Sequence, residues 1–341
     1  MQLRSGTITG FVNPSQAHYR QQNITVKFLG AGDNGDVYAA IPKADANLLI
    51  AEHCGSMQAL YDKVRSNLQA VKFYKESNLE GDLSNEINFL TQAVTAQHPR
   101  LTPALDSHLD GAVQWLASPF CSGGNLQSFM EKHAGSLPTS FIWHTGAHLA
   151  EGVCFLLEHS GVVHQDIFAG NTLLQPPTDA ASAFGNYPDL RIADFGRAKK
   201  VADSAPLAIH MHLMQAQLVD IAQIGRTLLY MRRMMRRGRL TSPNHIRCPV
   251  CFMSCREACH ECCTDAKSEN VLGLWLERFM VVTTTVDNLA QGLTFLKRFA
   301  AAARQQRAEC YQPLPDQVVA DLAAVNISNE EVAIALTQLR K

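Results

Sequence analysis

Residues 161–174 read GVVHQDIFAGNTLL, a run of small and apolar residues that holds polar groups at fixed spacing. Asn171 follows Asp166 by five positions, and a second apolar run, RIADFG, brings in Asp194. Carboxylate and carboxamide oxygens after apolar strands suit a hard cation such as Mg²⁺. A carboxylate in such a loop can also take a proton from an incoming hydroxyl. These two loops therefore predict a site for a divalent cation and a proton transfer.

A glycine cluster lies near the start of the chain, in ITVKFLGAGDNGDVYAA at 24–40. Gly30, Gly32 and Gly35 form a G-x-G-x-x-G pattern, followed closely by Val37. The alternating apolar residues around it predict a β-hairpin. Glycines let a backbone approach phosphates closely, although they also mark ordinary hairpin turns.

A lysine in an apolar strand is the third feature. Lys72 lies in AVKFYK at 70–75, where a half-buried charge needs a partner. The helix predicted at 82–97 offers Glu86, with Glu76 and Glu80 nearby as alternatives. A lysine whose charged end reaches the solvent is the other interpretation.

In this order and spacing, the motifs resemble those of a eukaryotic-type protein kinase. PFCSGGNLQSFM at 119–130 resembles the hinge of that family, and VDIAQIGRTLLYM at 219–231 its helix αF. Asp220 would then be the buried Asp that braces the catalytic loop. The resemblance implies an α+β, bilobal fold with a small β-rich N-lobe and a larger helical C-lobe.

The resemblance also implies a role for each residue. Lys72 would hold the α- and β-phosphates of ATP and pair with Glu86. Asn171 and Asp194 would bind Mg²⁺, and Asp166 would orient or deprotonate the acceptor hydroxyl. The nucleotide is further expected to contact the glycine loop and hinge at Gly30, Gly32, Gly35, Val37, Phe120 and Cys121.

The chain departs from the family pattern around the catalytic loop. Gln165 replaces the Arg that meets a phosphorylated activation loop in many kinases, and an amide cannot pair with a phosphate dianion in that way. Only 26 positions separate Asp194 from Asp220, and they contain no A-P-E. Such a shortened segment is seen in some pathogen effector and viral kinases. Phe168 stands two places after Asp166, where Ser/Thr-type kinases usually have a Lys that helps with the γ-phosphate.

These features predict an ATP- and Mg²⁺-dependent protein kinase acting on Ser or Thr of an unidentified protein substrate, without control by activation-loop phosphorylation. One alternative is a small-molecule kinase of the aminoglycoside or choline type, which shares the H-x-D-x-x-x-x-N pattern. Another is a pseudokinase scaffold that binds a partner.

A cysteine-rich segment follows the predicted helix αF, and four of its thiols, Cys248, Cys251, Cys259 and Cys262, form two C-x-x-C pairs. Four thiolates suit a structural Zn²⁺ ion, whereas buried thiols or an iron–sulfur cluster are the alternatives. Just before it, MRRMMRRGRL at 231–240 holds five arginines. They form either a solvated helix end or a docking, nuclear-import or nucleic-acid patch, and the Cys-rich and Arg-rich segments together could dock a partner.

Bulk composition narrows the class of protein. The 341 residues are 46% apolar and carry a formal charge of -1, which argues against a nucleic-acid or membrane-surface binder. No membrane span is expected, and the location predicted is intracellular, cytoplasmic or nuclear, in a host cell if the source is a pathogen. The predicted organisation is a flexible lead-in at 1–23, an N-lobe at 24–120 with an insertion at about 42–66, a C-lobe at 121–305 with a Cys-rich insert at 248–263, and a helical extension at 306–341.

Overall fold

The computed structural model describes residues 14–32, 35–53, 55–75, 86–87, 89, 98–110, 113–177, 185–200, 207–241, 270–279, 281 and 289–340. The chain divides into two compact units. The first comprises Met1–Ser84, Ala104–Phe120 and Ile327–Lys341, and the second comprises Asn85–Pro103 and Cys121–Asn326. The first unit holds the larger sheet and the second is mainly helical, which confirms the predicted α+β class.

The elements of the first unit are α1 (Pro14–Gln22), β1 (Asn23–Ala31), β2 (Gly35–Pro42), α2 (Lys43–Ala51), α3 (Met57–Ser66), β3 (Gln69–Tyr74), β4 (Asp106–Asp110) and β5 (Val113–Pro119). The second contains α4 (Leu126–His133), α5 (Thr139–Phe155), β6 (Val162–Val163), β7 (Thr172–Gln175), β8 (Asp189–Ile192), β9 (Lys199–Lys200), α6 (Leu207–Thr241), α7 (Leu289–Glu309) and α8 (Asp316–Ala323). The last helix, α9 (Asn329–Thr337), belongs to the first unit again. In these described ranges, no helix combines the length and apolar character that a membrane span requires.

The first unit is organised around an antiparallel sheet in the order β1-β2-β3-β5-β4. Strands β1 and β2 form the hairpin that the glycine-containing stretch predicts. Helix α1 covers the sheet by placing the Tyr19 ring edge-on to Phe73 at 5.3 Å and to Trp115 at 4.9 Å. Residues 14–22 therefore differ from the flexible lead-in expected at 1–23, because burial of Tyr19 offsets the cost of ordering a polar segment.

The insertion expected at about 42–66 forms helices α2 and α3, and α3 carries the contact with the end of the chain. Arg65 donates from Nε to the Ile327 carbonyl at 2.8 Å, and its guanidinium also donates to Asn329. Lys27 of β1 lies 3.4 Å from Glu331 of α9. Helix α3 thus provides a binding face for α9, which no local sequence signal indicates.

Helix α5 is the centre of the second unit, and most of its residues are buried. It packs against α7, where a Cβ on Gly146 would come within 2.8 Å of the Phe299 ring. The helix continues as a π-helical turn at Leu156–Ser160 and ends at Gly161, whose φ of 58° is left-handed. Glycine adopts this conformation without strain, so it fixes the point at which the catalytic-loop stretch begins.

Two histidines of α5 are buried on the side of the helix that faces Pro188 and Arg307. His144 lies 2.8 Å from the Pro188 carbonyl through Nε2 and 2.9 Å from Arg307 through Nδ1. A guanidinium can only donate, so Nδ1 accepts and Nε2 carries the proton. The His148 ring lies 4.0 Å from that of His144. Burial lowers the pKa of His144 to about 3 and that of His148 well below its ordinary value.

Replacing Arg65 by Met is expected to lower the free energy of unfolding by about 1–3 kcal/mol, because the Ile327 carbonyl loses its donor. Chemical denaturation measures this change. Lys63→Met, an exposed change on the same helix, should stay within about 0.5 kcal/mol of the wild type. Equal losses in both variants would contradict the proposed link between α3 and the end of the chain.

The buried histidines predict a fall in stability at acidic pH. Their pKa values are depressed in the folded chain, so unfolding takes up protons below the ordinary value of 6.5. Each of these neutral histidines should therefore lower the free energy of unfolding by about 1.4 kcal/mol per pH unit as the pH drops from 6.5 towards 4.5.

Denaturation at several pH values tests this slope. His148→Leu should make the free energy of unfolding less dependent on pH. Parallel slopes for wild type and His148→Leu would show that His148 does not couple folding to protonation.

Candidate active site

The glycine-rich hairpin belongs to the first unit, and its three glycines have different environments. Gly32 donates to the Gly35 carbonyl at 2.8 Å, which closes the turn. A Cβ on Gly35 would lie 2.3 Å from the Phe73 carbonyl oxygen of β3, so only glycine fits there. Gly30 has open space around it. The hairpin thus needs Gly35 for its own packing, whereas Gly30 leaves open space where a side chain would stand.

Lys72 stands beside that hairpin on β3. Its residue partner across the β2–β3 ladder is Val37, so these two candidate nucleotide contacts are neighbours. The Lys72 ammonium lies 4.9 Å from the centre of the Tyr74 ring, within the range of a cation–π contact. The proposed pairing of Lys72 with Glu86 joins residues of the two units and stays a prediction.

In the predicted hinge, Phe120 is the last residue of a segment of the first unit, and Cys121 is the first residue of a segment of the second. Phe120 is half-buried, and Cys121 is buried, which raises the pKa of its thiol to about 11. The thiol is therefore protonated at neutral pH. Gly123 donates to the Leu174 carbonyl at 3.1 Å, and this bond attaches the segment to β7. A nucleotide contact at Phe120 and Cys121 stays a prediction.

Strand pairing brings the two polar loops together. In the β7–β8 hairpin Thr172 pairs with Ile192, so Asn171 directly precedes one strand where Asp194 closely follows the other. Ala193 extends the pairing by donating to the Asn171 carbonyl at 2.9 Å. The residues expected to bind Mg²⁺ therefore lie at the same end of one small sheet.

The side chain of Asn171 positions Asp166. Its Nδ2 donates both to Oδ2 and to the backbone carbonyl of Asp166, each at 3.0 Å. The carboxylate is half-buried, and its other oxygen lies 3.7 Å from the Arg197 guanidinium. Asp166 is thus held through Oδ2, while Oδ1 faces an exposed cation that is free to move with its side chain.

Asp220 of α6 holds the backbone just before Asp166. It is fully buried and accepts from the N–H groups of His164 at 2.8 Å and Gln165 at 2.6 Å. This confirms the bracing role that the family resemblance implies for it. Burial raises the pKa of the Asp220 carboxyl to about 7, and the two N–H donors oppose that rise.

Gln223 is a second brace, and sequence reasoning missed it. Its Oε1 accepts from the Ile167 N–H at 2.7 Å, and its Nε2 donates to the Gln165 carbonyl at 2.9 Å. It lies three residues after Asp220, so the shared helix face was a readable signal. Together these side chains satisfy a loop in which Gln165 has a φ of 66°.

The D-F-G segment has a similar left-handed residue, Asp194, with a φ of 62°. Left-handed backbone is costly for a non-glycine residue and persists where the surroundings hold it. Phe195 is fully buried, with its ring 4.7 Å from the His164 ring. Its N–H donates to Glu86 Oε1 at 3.1 Å, so Glu86 is linked to D-F-G within the second unit.

The sequence of this site matches a known family. Residues 24–215, more than half of the chain, match the family model described as protein tyrosine and serine/threonine kinase. The chain belongs to the protein kinase family.

Several curated kinases show the same similarity. The chain is 28% identical over 187 residues to serine/threonine-protein kinase ULK3 of Xenopus laevis, covering 54% of this chain and 34% of that protein. It is 28% identical over 150 residues to serine/threonine-protein kinase ATG1c of Arabidopsis thaliana, covering 42% and 19%. It is 27% identical over 154 residues to serine/threonine-protein kinase TAO3 of Xenopus laevis, covering 43% and 16%. The chain thus spans about a third or less of the length of each relative.

The donor set of this kinase domain fits Mg²⁺. Asp194 offers a carboxylate, and the Asn171 amide keeps its oxygen as a ligand atom because its NH₂ group donates to Asp166. Mg²⁺ is bound in proteins by one or two such groups together with phosphate oxygens and water. Among the described residues, no group of three or more His, Cys, Asp or Glu is placed to hold a metal ion.

The predicted zinc ligands Cys248, Cys251, Cys259 and Cys262 lie outside the described residues, so that site stays a prediction. The arginine run before them is partly described. On α6, Met231 and Met235 are buried, whereas Arg233 and Arg236 are exposed. This part of the run is the solvated face of a helix whose apolar face packs inward.

Replacing Asp220 by Ala should expose the amides of His164 and Gln165, since both lose their acceptor. Their hydrogen exchange, resolved by NMR or fragment-resolved mass spectrometry, should accelerate by about tenfold or more. Gln223→Ala is the matched comparison, because it should accelerate exchange at Ile167 while the Asp220 bonds remain. Protection of both amides in Asp220→Ala would refute the bracing role.

Proposed function

We propose that this chain transfers the γ-phosphate of ATP to Ser or Thr hydroxyls of a protein. The observation that carries the proposal is the position of the Asp166 carboxylate, fixed by Asn171 at the end of the β7–β8 sheet that also leads to Asp194. Phosphoryl transfer requires little covalent help from a protein, and positioning with charge neutralisation supplies most of the catalysis. The names of the relatives support Ser and Thr as acceptors.

The proposed roles fall on residues of both units. In the first, Lys72 would bind the α- and β-phosphates beside the backbone of Gly30 and Gly32. In the second, Asp166 would receive the hydroxyl proton on Oδ1, since Oδ2 is occupied by Asn171. Asn171 has two tasks, because its NH₂ group orients Asp166 and its oxygen would hold the metal.

Mg²⁺ held by Asn171 and Asp194 would neutralise charge on the phosphates. The left-handed backbone of Asp194 sets the direction of its carboxylate. The buried Phe195 and its bond to Glu86 maintain that backbone from the other side. The second unit would therefore provide a preformed binding site for the metal.

We also propose that activity does not depend on phosphorylation of the activation segment. In the loop, Asp220 and Gln223 hold the backbone of Gln165. Its amide side chain offers no cation to a phosphate dianion. The bonds that order the loop are therefore independent of a modified residue.

Labelled ATP with generic protein acceptors tests the proposal. Wild-type chain should transfer label, and Asp166→Asn or Asp194→Ala should reduce the rate by about a hundredfold or more. Asp316→Asn, an exposed carboxylate on α8, is the control and should retain the wild-type rate.

The rival activities give different outcomes. Label found only on small hydroxylated metabolites would favour a small-molecule kinase. Nucleotide binding without transfer to any acceptor would favour a pseudokinase scaffold. Equal rates for Asp194→Ala and wild type would exclude the proposed metal site.

A further inference from the structure

Arg197 is the first residue after D-F-G, and its guanidinium reaches the candidate base. Its Nη1 lies 3.7 Å from Asp166 Oδ1, the oxygen that Asn171 does not occupy. The Arg197 side chain is 67% exposed, so the guanidinium can move without disturbing the core. The family resemblance assigns no role to this residue.

The contact between Arg197 and Asp166 is too long and too exposed to contribute much to the stability of the fold. Elsewhere in the same unit, Arg100 meets Asp189 at 2.7 Å with both side chains mostly buried. An exposed pair at 3.7 Å contributes about 0–1 kcal/mol. Arg197 therefore gains little by pairing with Asp166, and Asp166 already has a firm partner in Asn171.

Phe168, in the same loop as Asp166, offers no cation to a phosphate. It lies two positions after Asp166, is 43% exposed, and carries no charge. Its ring packs on Gly170, where a Cβ would come within 2.3 Å of the ring. Position 168 therefore presents an apolar ring. A cation for the transferred phosphoryl group would have to come from another residue.

A cation at this point has a defined task. As the acceptor oxygen bonds to the γ-phosphorus, the bond from phosphorus to the β–γ bridging oxygen breaks with its electron pair leaving on ADP. The hydroxyl proton passes to Asp166. Throughout, negative charge stays on the three remaining oxygens of the γ-phosphoryl group. A guanidinium matches two such oxygens at once and keeps its charge at any working pH.

We infer that Arg197 binds the γ-phosphate of the nucleotide and supplies the charge that Phe168 cannot. The inference rests on the proposed function, since it requires a triphosphate beside Asp166. Without nucleotide, the same guanidinium lies near Oδ1, and the γ-phosphate replaces that carboxylate oxygen as its anionic partner.

Nucleotide affinity tests this role without any acceptor substrate. Calorimetry with Mg²⁺ would compare Kd for ATP and ADP in wild type, Arg197→Met, Arg197→Lys and the double variant Phe168→Lys with Arg197→Met. Arg197→Met should weaken ATP binding by about tenfold and leave ADP binding unchanged, because only ATP has the γ-phosphate. Arg197→Lys should lose less, and the double variant should recover most of the ATP preference.

Lys200→Met is the matched control, since Lys200 is an exposed cation in the same segment, and it should keep the wild-type ATP-to-ADP ratio. Thermal unfolding checks that each variant is folded. An unchanged ratio in Arg197→Met would overturn the inference. Faster transfer in Arg197→Met would also overturn it, since Arg197 would then shield Asp166.

The two proposals can fail separately. Loss of the ATP preference in Arg197→Met, with no transfer by the wild type to any acceptor, would support the Arg197 site and refute the kinase activity. Transfer by the wild type, with an unchanged ATP-to-ADP ratio in Arg197→Met, would support the kinase activity and refute the Arg197 site. Absence of nucleotide binding by the wild type would refute both.

Discussion

The buried carboxylate of Asp220 accepts hydrogen bonds from two consecutive backbone N–H groups, those of His164 and Gln165. Two such donors can point at one acceptor only if the backbone turns sharply, and Gln165 does so with a left-handed φ of 66°. Asp166 follows directly, so its direction is set by a helix whose sequence lies more than fifty residues away. Gln223 on that helix completes the arrangement by bonding to the carbonyl of Gln165.

The β7–β8 register is the second constraint, and it acts on the residues that are predicted to bind the metal. Strand pairing from Thr172 to Gln175 with Asp189 to Ile192 places the residues before one strand beside those after the other. Asn171 and the D-F-G segment therefore meet through local hydrogen bonds. The bond from Phe195 to Glu86 adds a link to the helical residues 86 and 87. The second unit thus contains the predicted base, the predicted metal ligands and the residues that support them.

In the first unit, the segment predicted to be an insertion contacts the end of the chain. Helix α3 carries Arg65, which binds the Ile327 carbonyl at the start of the final segment. Ser328 then caps α9 in a capping box with Glu331, and Glu331 also meets Lys27 of the sheet. An arginine and a carboxylate are thus among the side chains that join residues distant in the chain.

The motifs around Lys72, Asp166, Asn171 and Asp194 could be read from the sequence. Each is a polar residue in an apolar strand or loop, where its presence needs a chemical reason. The strand and helix order was readable for the same kind of reason, since alternation and helical periodicity are local properties. The α+β class followed from that order.

Other features depended on contacts between distant segments. The helix at 14–22 has a polar sequence, and it is ordered by burial of Tyr19 against Phe73 and Trp115. The packing of α9 on α3 and the approach of Arg197 to Asp166 have no local signal either. The sequence by itself determined the fold class, the family and the residues that are predicted to carry the chemistry. Only the tertiary structure decided which backbone groups hold them and which cation they meet, because those choices depend on long-range packing and hydrogen bonding.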